Sequence, residues 1–125
     1  MGRRPPAGRI VCEGRVLAGR ARVAASLFSR MVGLLTRASL DEDEALVIPA
    51  GQAIHTIGMR FPIDVAFVNQ AWCVVAMRHA LPPGRLTPVI WQAAAAIEFA
   101  AGTLRRCGVR LGDHLSFQTS GTNAS

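Results

Sequence analysis

Lysine and tyrosine are both absent from these 125 residues. With lysine missing, every basic side chain is arginine, a bias that reads as genome composition rather than chemistry. With tyrosine missing and aromatics at only 6%, the arginines have no interleaved rings on which bases stack. That argues against nucleic-acid binding. No apolar run approaches the roughly 18–20 residues of a membrane span. The N-terminal "MGRRPPAGRIVCEG" has arginines but no apolar stretch after them. No signal peptide is read there, and a cytoplasmic location is expected. Cysteine is scarce: Cys12, Cys73 and Cys107 are scattered, with neither a disulfide framework nor a C-x-x-C knuckle. They read as free thiols, buried or incidental.

Acids are also few. Eight face fourteen arginines, for a net charge of +6. The imbalance is uneven, since through Arg37 the only acid is Glu13. The acid run "DEDE", Asp41 to Glu44, reads as a solvated turn. Half the residues are hydrophobic, so the chain is of the globular class. Its length fits one domain with a core of useful size. The expected limits are a flexible leader over 1–9, a globular domain over 10–118 and a flexible tail over 119–125.

Periodicity places the elements. Residues 15–24 alternate imperfectly and read as one or two strands near Gly19. In "SLFSRMVGLLTR" (26–37) the period changes. Leu27, Met31 and Leu34 share one helical face, Ser26 is the expected N-cap, and Arg30 borders the buried side. "ALVIPA" (45–50) is a short strand. "FPIDVAFV" (61–68) is the clearest strand, apolar on both faces and therefore expected to be covered on both. A turn at 69–71 returns it as "WCVVAMR" (72–78), a hairpin. "LPPGRLTP" (81–88) is a loop by composition. In "WQAAAAIEFAAG" alanine favours helix while the Ile97/Phe99 alternation favours strand. "TLRRCG" predicts one helical turn capped by Thr103 and stopped at Gly108. After a Gly112-Asp113 turn, a last strand carries Leu115 and Phe117 inward. The tally predicts an α+β, strand-rich domain: a partly closed, barrel-like sheet with one packed helix and a short helical turn.

The unusual stretch is "IHTIGMRFPID" (54–64), which seats His55, Met59, Arg60 and Asp64 in an apolar run. An unpaired buried carboxylate is very costly. Asp64 therefore needs water, a cation or backbone donors, and an arginine fork from Arg60 or Arg30 is the expected partner. On one flat strand His55 and Asp64 would face opposite ways. A bulge or bend near Gly58 is predicted to put them on the same side.

Together, "SRMVGLLTR", "IHTIGMRFPIDVAFV", "IEFAAG" and "GVRLGDHLSF" resemble domain of unknown function 192, a small prokaryotic family without an established biochemical role. The resemblance spans roughly residues 15–118. It carries over Arg30, Gly33 and Leu34, then His55, Thr56, Met59, Pro62, Ile63, Asp64 and Phe67. Glu98, Gly102, Gly112 and Asp113 also match. It implies a compact, mostly β fold in which "AAIEFA" is a strand.

Three functional readings follow. Arg30, Arg60 and His55 would line a pocket for a small anion or a carboxylate-bearing ligand, with Asp64 and Glu98 orienting the arginines. The same residues would otherwise form a structural polar network, leaving function to protein–protein contacts. A metal site would draw on His55, Met59, His79, His114 or a cysteine, with copper or zinc as the fitting ions. No second histidine stands at ligand spacing from His55, so no metal ligand and no cofactor is assigned. His55 with Asp64 would make a base and its orienter. No nucleophile motif accompanies them, and Thr56 and Ser116 are undistinguished, so the balance is against an enzyme.

Overall fold

The period-two segments build one sheet of seven strands. A computed structural model describes residues 7–24 and 37–119. The strands are β1 (Ala7–Cys12), β2 (Arg15–Val23), β3 (Glu44–Pro49), β4 (Ile63–Val68), β5 (Val74–Leu81), β6 (Ala95–Ala100) and β7 (Leu115–Thr119). A four-residue helix, α1 (Thr103–Arg106), lies between β6 and β7. The order across the sheet is β5-β4-β6-β3-β2-β1-β7. The β2–β3 pair is parallel, and a parallel pair needs a long crossover. Residues 24–43 supply it. The helix predicted over 26–37, with Arg30, lies outside the described residues apart from Arg37.

β1 was not legible from the sequence, and it begins at Ala7, inside the stretch read as leader. Its second residue has to be small. A Cβ on Gly8 would stand 2.1 Å from the Gln118 carbonyl oxygen of the paired β7.

The sheet is not closed into a barrel, which corrects the barrel-like expectation. Among the described residues its edge strands meet at one corner. There Cys73 and His114 form an isolated bridge, flanked by Val74 N–H to Asp113 O (2.9 Å) and Leu115 N–H to Trp72 O (2.9 Å). The cause lies in β5. It slips register twice against β4, and Ala80 is left-handed at φ 48°. Bulges of this kind twist a strand and interrupt its ladder.

β4 and β6 are buried at every position, as the two apolar faces of residues 61–68 require. β6 lies between β3 and β4, so pairing on both sides overrides the helix preference of its alanines. Two cores follow from the pleat. One face holds Ile10, Leu17, Val47, Ala66, Phe99 and Leu115, plugged by Leu104 of α1. The other holds Ile63, Val65 and Phe67, covered by Ile54, Met59 and Phe61 from the segment ahead of β4.

Candidate functional site

Segment 54–64 does not run as one strand. Met59 N–H donates to Thr56 O at 3.1 Å, and Gly58 between them has φ 86°. That is the third position of a type II turn, which requires positive φ and so glycine. The bend expected at Gly58 is this turn, but it does not bring His55 and Asp64 to the same side: the 54–57 segment covers one face of the sheet and Asp64 faces the other.

Ahead of the turn, residues 54–56 pair with 84–87, half of the stretch that composition marks as loop. His55 and Leu86 form a bridge. Thr56 N–H donates to Arg85 O (2.8 Å) and Thr87 N–H to Ile54 O (2.9 Å). Two buried threonines tie the arms. The Thr56 hydroxyl donates to Pro82 O (2.6 Å) and accepts from Arg85 N–H (2.9 Å). The Thr87 hydroxyl accepts from Ile54 N–H at 2.9 Å. The ribbon has an inside and an outside by simple alternation. Ile54, Thr56 and Thr87 are buried, His55 is half-buried, and Ile57 and Leu86 are 60% and 71% exposed. Val89 and Trp91 continue the exposed apolar series, with Trp91 at 77%.

Asp64 faces elsewhere. It is fully buried, and each oxygen takes a backbone amide: Oδ1 from Ala80 (2.8 Å) and Oδ2 from Leu104 (2.9 Å). Ala80 is the left-handed residue where β5 slips register. Leu104 N–H is one of the orphan donors of the first helical turn. Asp64 thus satisfies two amides that the sheet and helix leave over. This corrects two expectations. Thr103 is not the cap: Gly102, at φ 94°, is the N-cap and gives no side-chain bond. The fork with Arg60 is not formed either. Arg60 precedes β4 and is exposed, and among the described residues no ion pair joins it to Asp64. Backbone donors win because the left-over amides are already there, and they need no long side chain to be ordered.

The expected constellation is divided by the sheet. Asp64 is opposite Phe99 on the face of Ala66 and Val68. Glu98 is opposite Val65 and Leu46, on the face that Met59 helps cover. Glu98 is fully buried and Met59 is core. His55 alternates away from Ile54, which packs on that second face. Arg60 and His55 are thus the expected residues left near the surface, while Arg30 lies outside the described residues. Among the described residues, no group of three His, Cys, Asp or Glu is placed to hold a metal ion.

The acidic run is not simply a solvated turn. Glu44 is buried and accepts both arms of Arg37, at 2.9 and 2.5 Å, plus Asp41 N–H at 3.0 Å. The Arg37 guanidinium holds its carboxyl down at about 2. Asp43 accepts Gly19 N–H at 2.8 Å, and Asp41 pairs with Arg20 at 3.0 Å. Cys12 is buried, and burial followed by Asp113 pushes its thiol up. It is therefore not an activated nucleophile.

Sequence reading missed Arg85, Leu86 and Trp91. A signal was present: between Asp64 and Glu98 there is no acid, while Arg78 and Arg85 stand there with Leu86, Val89 and Trp91.

The comparisons agree with this strand-rich description. The model of the family DUF192 (Uncharacterized ACR) matches residues 10–117. No curated protein matches. A protein of unknown function from Novosphingobium aromaticivorans superposes with a TM-score of 0.74 at 20% identity, over 89% of this chain and 85% of that one. A Sinorhizobium meliloti protein described as a candidate transcription regulator gives 0.74 at 18% identity, over 94% and 98%. At such identities the likeness is one of fold. No helix among the described residues is long and apolar enough to cross a membrane.

Proposed function

Because the chain belongs to DUF192, an uncharacterized family, we propose a function read from its own surface: a protein-interaction domain that docks an acidic, apolar-anchored segment of a partner on the outer face of the 54–57/84–87 ribbon. The observation that carries this reading is the placement of exposed apolar side chains. Six large ones are exposed among the described residues, and Ile57, Leu86, Val89 and Trp91 fall on this ribbon and its continuation. Scattered exposed apolar residues need no explanation, but a cluster marks an interaction surface.

Charge selects the partner. Arg60 and Arg85 are the exposed charges on the ribbon and its turn, and no acid occurs in 45–63 or 65–97. Two guanidinium forks beside an apolar patch suit carboxylates. The carboxylate-binding expectation thus moves from the Arg/His/Asp cluster to Arg60 and Arg85. Asp64, which holds the backbone amides of Ala80 and Leu104, serves the fold. The threonine ties hold the ribbon in its docking shape before a partner arrives, which limits the ordering cost of binding.

The test is a peptide-display selection on the purified chain, followed by titration of the selected peptides. The expected peptides combine acids with an apolar anchor, and Leu86→Asp or Arg85→Glu weakens them about tenfold or more. Peptides without that pattern, or binding indifferent to both variants, would refute the reading. Duplex DNA that binds in their place, with a steep salt dependence through Arg60 and Arg85, would replace it with nucleic-acid recognition.

A further inference from the structure

Beside the ribbon lies a shallow groove of about 510 Å³, lined by Gln52, Asn69, Gln70, Trp91, Gln92 and the alanines at 71, 93 and 94. No charged side chain lines it, in a chain of net charge +6. Four of its residues carry carboxamides. Its one aromatic, Trp91, is 77% exposed.

Two of the amides are fixed at one end. Asn69 Oδ1 accepts the backbone N–H groups of Ala71 (3.0 Å) and Cys73 (2.9 Å). An amide oxygen holding two N–H donors has its orientation settled, so Nδ2 is the end left to donate. Gln52 has the reverse arrangement. Its Nε2 donates to the carbonyls of Trp91 (3.2 Å) and Ala93 (3.3 Å), leaving Oε1 to accept. The backbone therefore fixes one neutral donor and one neutral acceptor in the same groove. The exposed amides of Gln70 and Gln92 add adaptable partners.

We infer that this groove is a binding site for a neutral saccharide. Sugar hydroxyls both donate and accept, and they pair with carboxamides without needing a charge. The apolar face of a pyranose ring stacks on an exposed indole, which offers a flat apolar body with a polar tip. The alternatives lack their partners here. A phosphate or nucleotide calls for cationic forks, and a free amino acid for ion pairs. An open groove suits a chain of sugars better than a small enclosed ligand, most of whose surface must be buried. The groove shares Trp91 with the exposed apolar series, but Arg60, Arg85 and Leu86 do not line it.

The experiment titrates the full chain with cellohexaose, maltohexaose and chitohexaose, all uncharged. NMR follows the indole N–H of Trp91 and the side-chain amide of Asn69, with half-buried Trp72 as internal reference. For at least one sugar both signals shift saturably, Trp91→Ala weakens binding about tenfold or more, and Leu86→Asp leaves it unchanged. Trp91 is exposed, so its alanine variant should fold, which thermal unfolding checks. If it does not, exposed Gln92→Ala carries the same test. Failure of all three sugars to shift these signals overturns the inference. So does binding that is indifferent to the groove variants, or a glutamine-rich peptide that shifts the signals where the sugars do not.

Discussion

Asp64→Asn is the sharpest test of how the central motif works. The carboxylate holds two backbone amides, Ala80 N–H at 2.8 Å and Leu104 N–H at 2.9 Å, in a fully buried setting. Asparagine is nearly the same shape but has one acceptor and one NH2 group. Whichever way it turns, one amide keeps a neutral bond and the other faces a donor. The first loses its charge assistance, about 1 kcal/mol. The second loses a charge-assisted bond of roughly 1.5–3 kcal/mol and is left buried without a partner. The sum is about 3–5 kcal/mol, out of a total stability of about 5–15 kcal/mol for a typical domain. At a few degrees per kcal/mol for a chain of this size, Tm should fall by about 10 °C or more. Thermal unfolding followed by circular dichroism reads this directly. Hydrogen exchange adds a local check: the amides of Ala80 and Leu104 should lose protection first. Arg60→Ala is the control. If a buried fork with Arg60 held Asp64, losing the arginine would cost about 3–5 kcal/mol as well. With Arg60 exposed, the expected loss is within about 0.5 kcal/mol. An Asp64→Asn protein that melts within about 2 °C of wild type would refute the reasoning and return Asp64 to the list of ligand-binding groups.

Two further outcomes follow from the same geometry. Thr56→Val removes a hydroxyl that donates to Pro82 O and accepts from Arg85 N–H; it should cost about 2–3 kcal/mol and raise hydrogen exchange across 84–87 while leaving β4 protected. Glu44, held at about 2 by Arg37 against an ordinary 4.5, gives a stability term that is fully present above the ordinary value and lost as pH falls from there through about 2. Urea unfolding should therefore separate wild type from Glu44→Gln by roughly 3 kcal/mol at neutral pH, with the gap closing toward low pH; a gap that stays constant with pH would refute the pairing.

The strands that carry their own signal were legible in the sequence. Residues 61–68 are apolar on both faces because β4 is buried on both, and the return at 72–78 follows from the turn that Asn69 organises through Ala71 and Cys73. β6 needed the family resemblance, because alanine's helix preference is local while the pairing with β3 and β4 is not. What stayed hidden was set by partners far along the chain. Asp64 could be read as needing donors. That they are the amides of Ala80 and Leu104, 16 and 40 residues on, depends on a register slip in β5 and on where α1 begins. The stretch 84–87 is loop, as Pro82, Pro83, Gly84 and Pro88 led one to expect, with one isolated bridge from Leu86 to His55; what stayed hidden is its anchoring. It is held by hydroxyls of Thr56 and Thr87, which leave no periodic mark.

The turn at Gly58 explains how one stretch carries polar residues for two different reasons. Ahead of it, alternation sends Ile54 and Thr56 inward and leaves His55 and Ile57 toward the surface. Beyond it, the chain enters β4 on a new parity, with Ile63, Val65 and Phe67 on one core and Asp64 beneath α1 on the other. A straight strand would have fixed one parity for the whole segment. The left-handed glycine removes that constraint, so a buried carboxylate and an exposed apolar side chain, Asp64 and Ile57, sit within ten residues of each other. The two roles should separate on mutation. Loss of Asp64 acts on the amides that join β4 to β5 and α1, and so on stability. Loss of Leu86 removes an exposed side chain that stability does not need, and so acts on binding. Because the sheet lies between the two positions, their effects should add with little coupling.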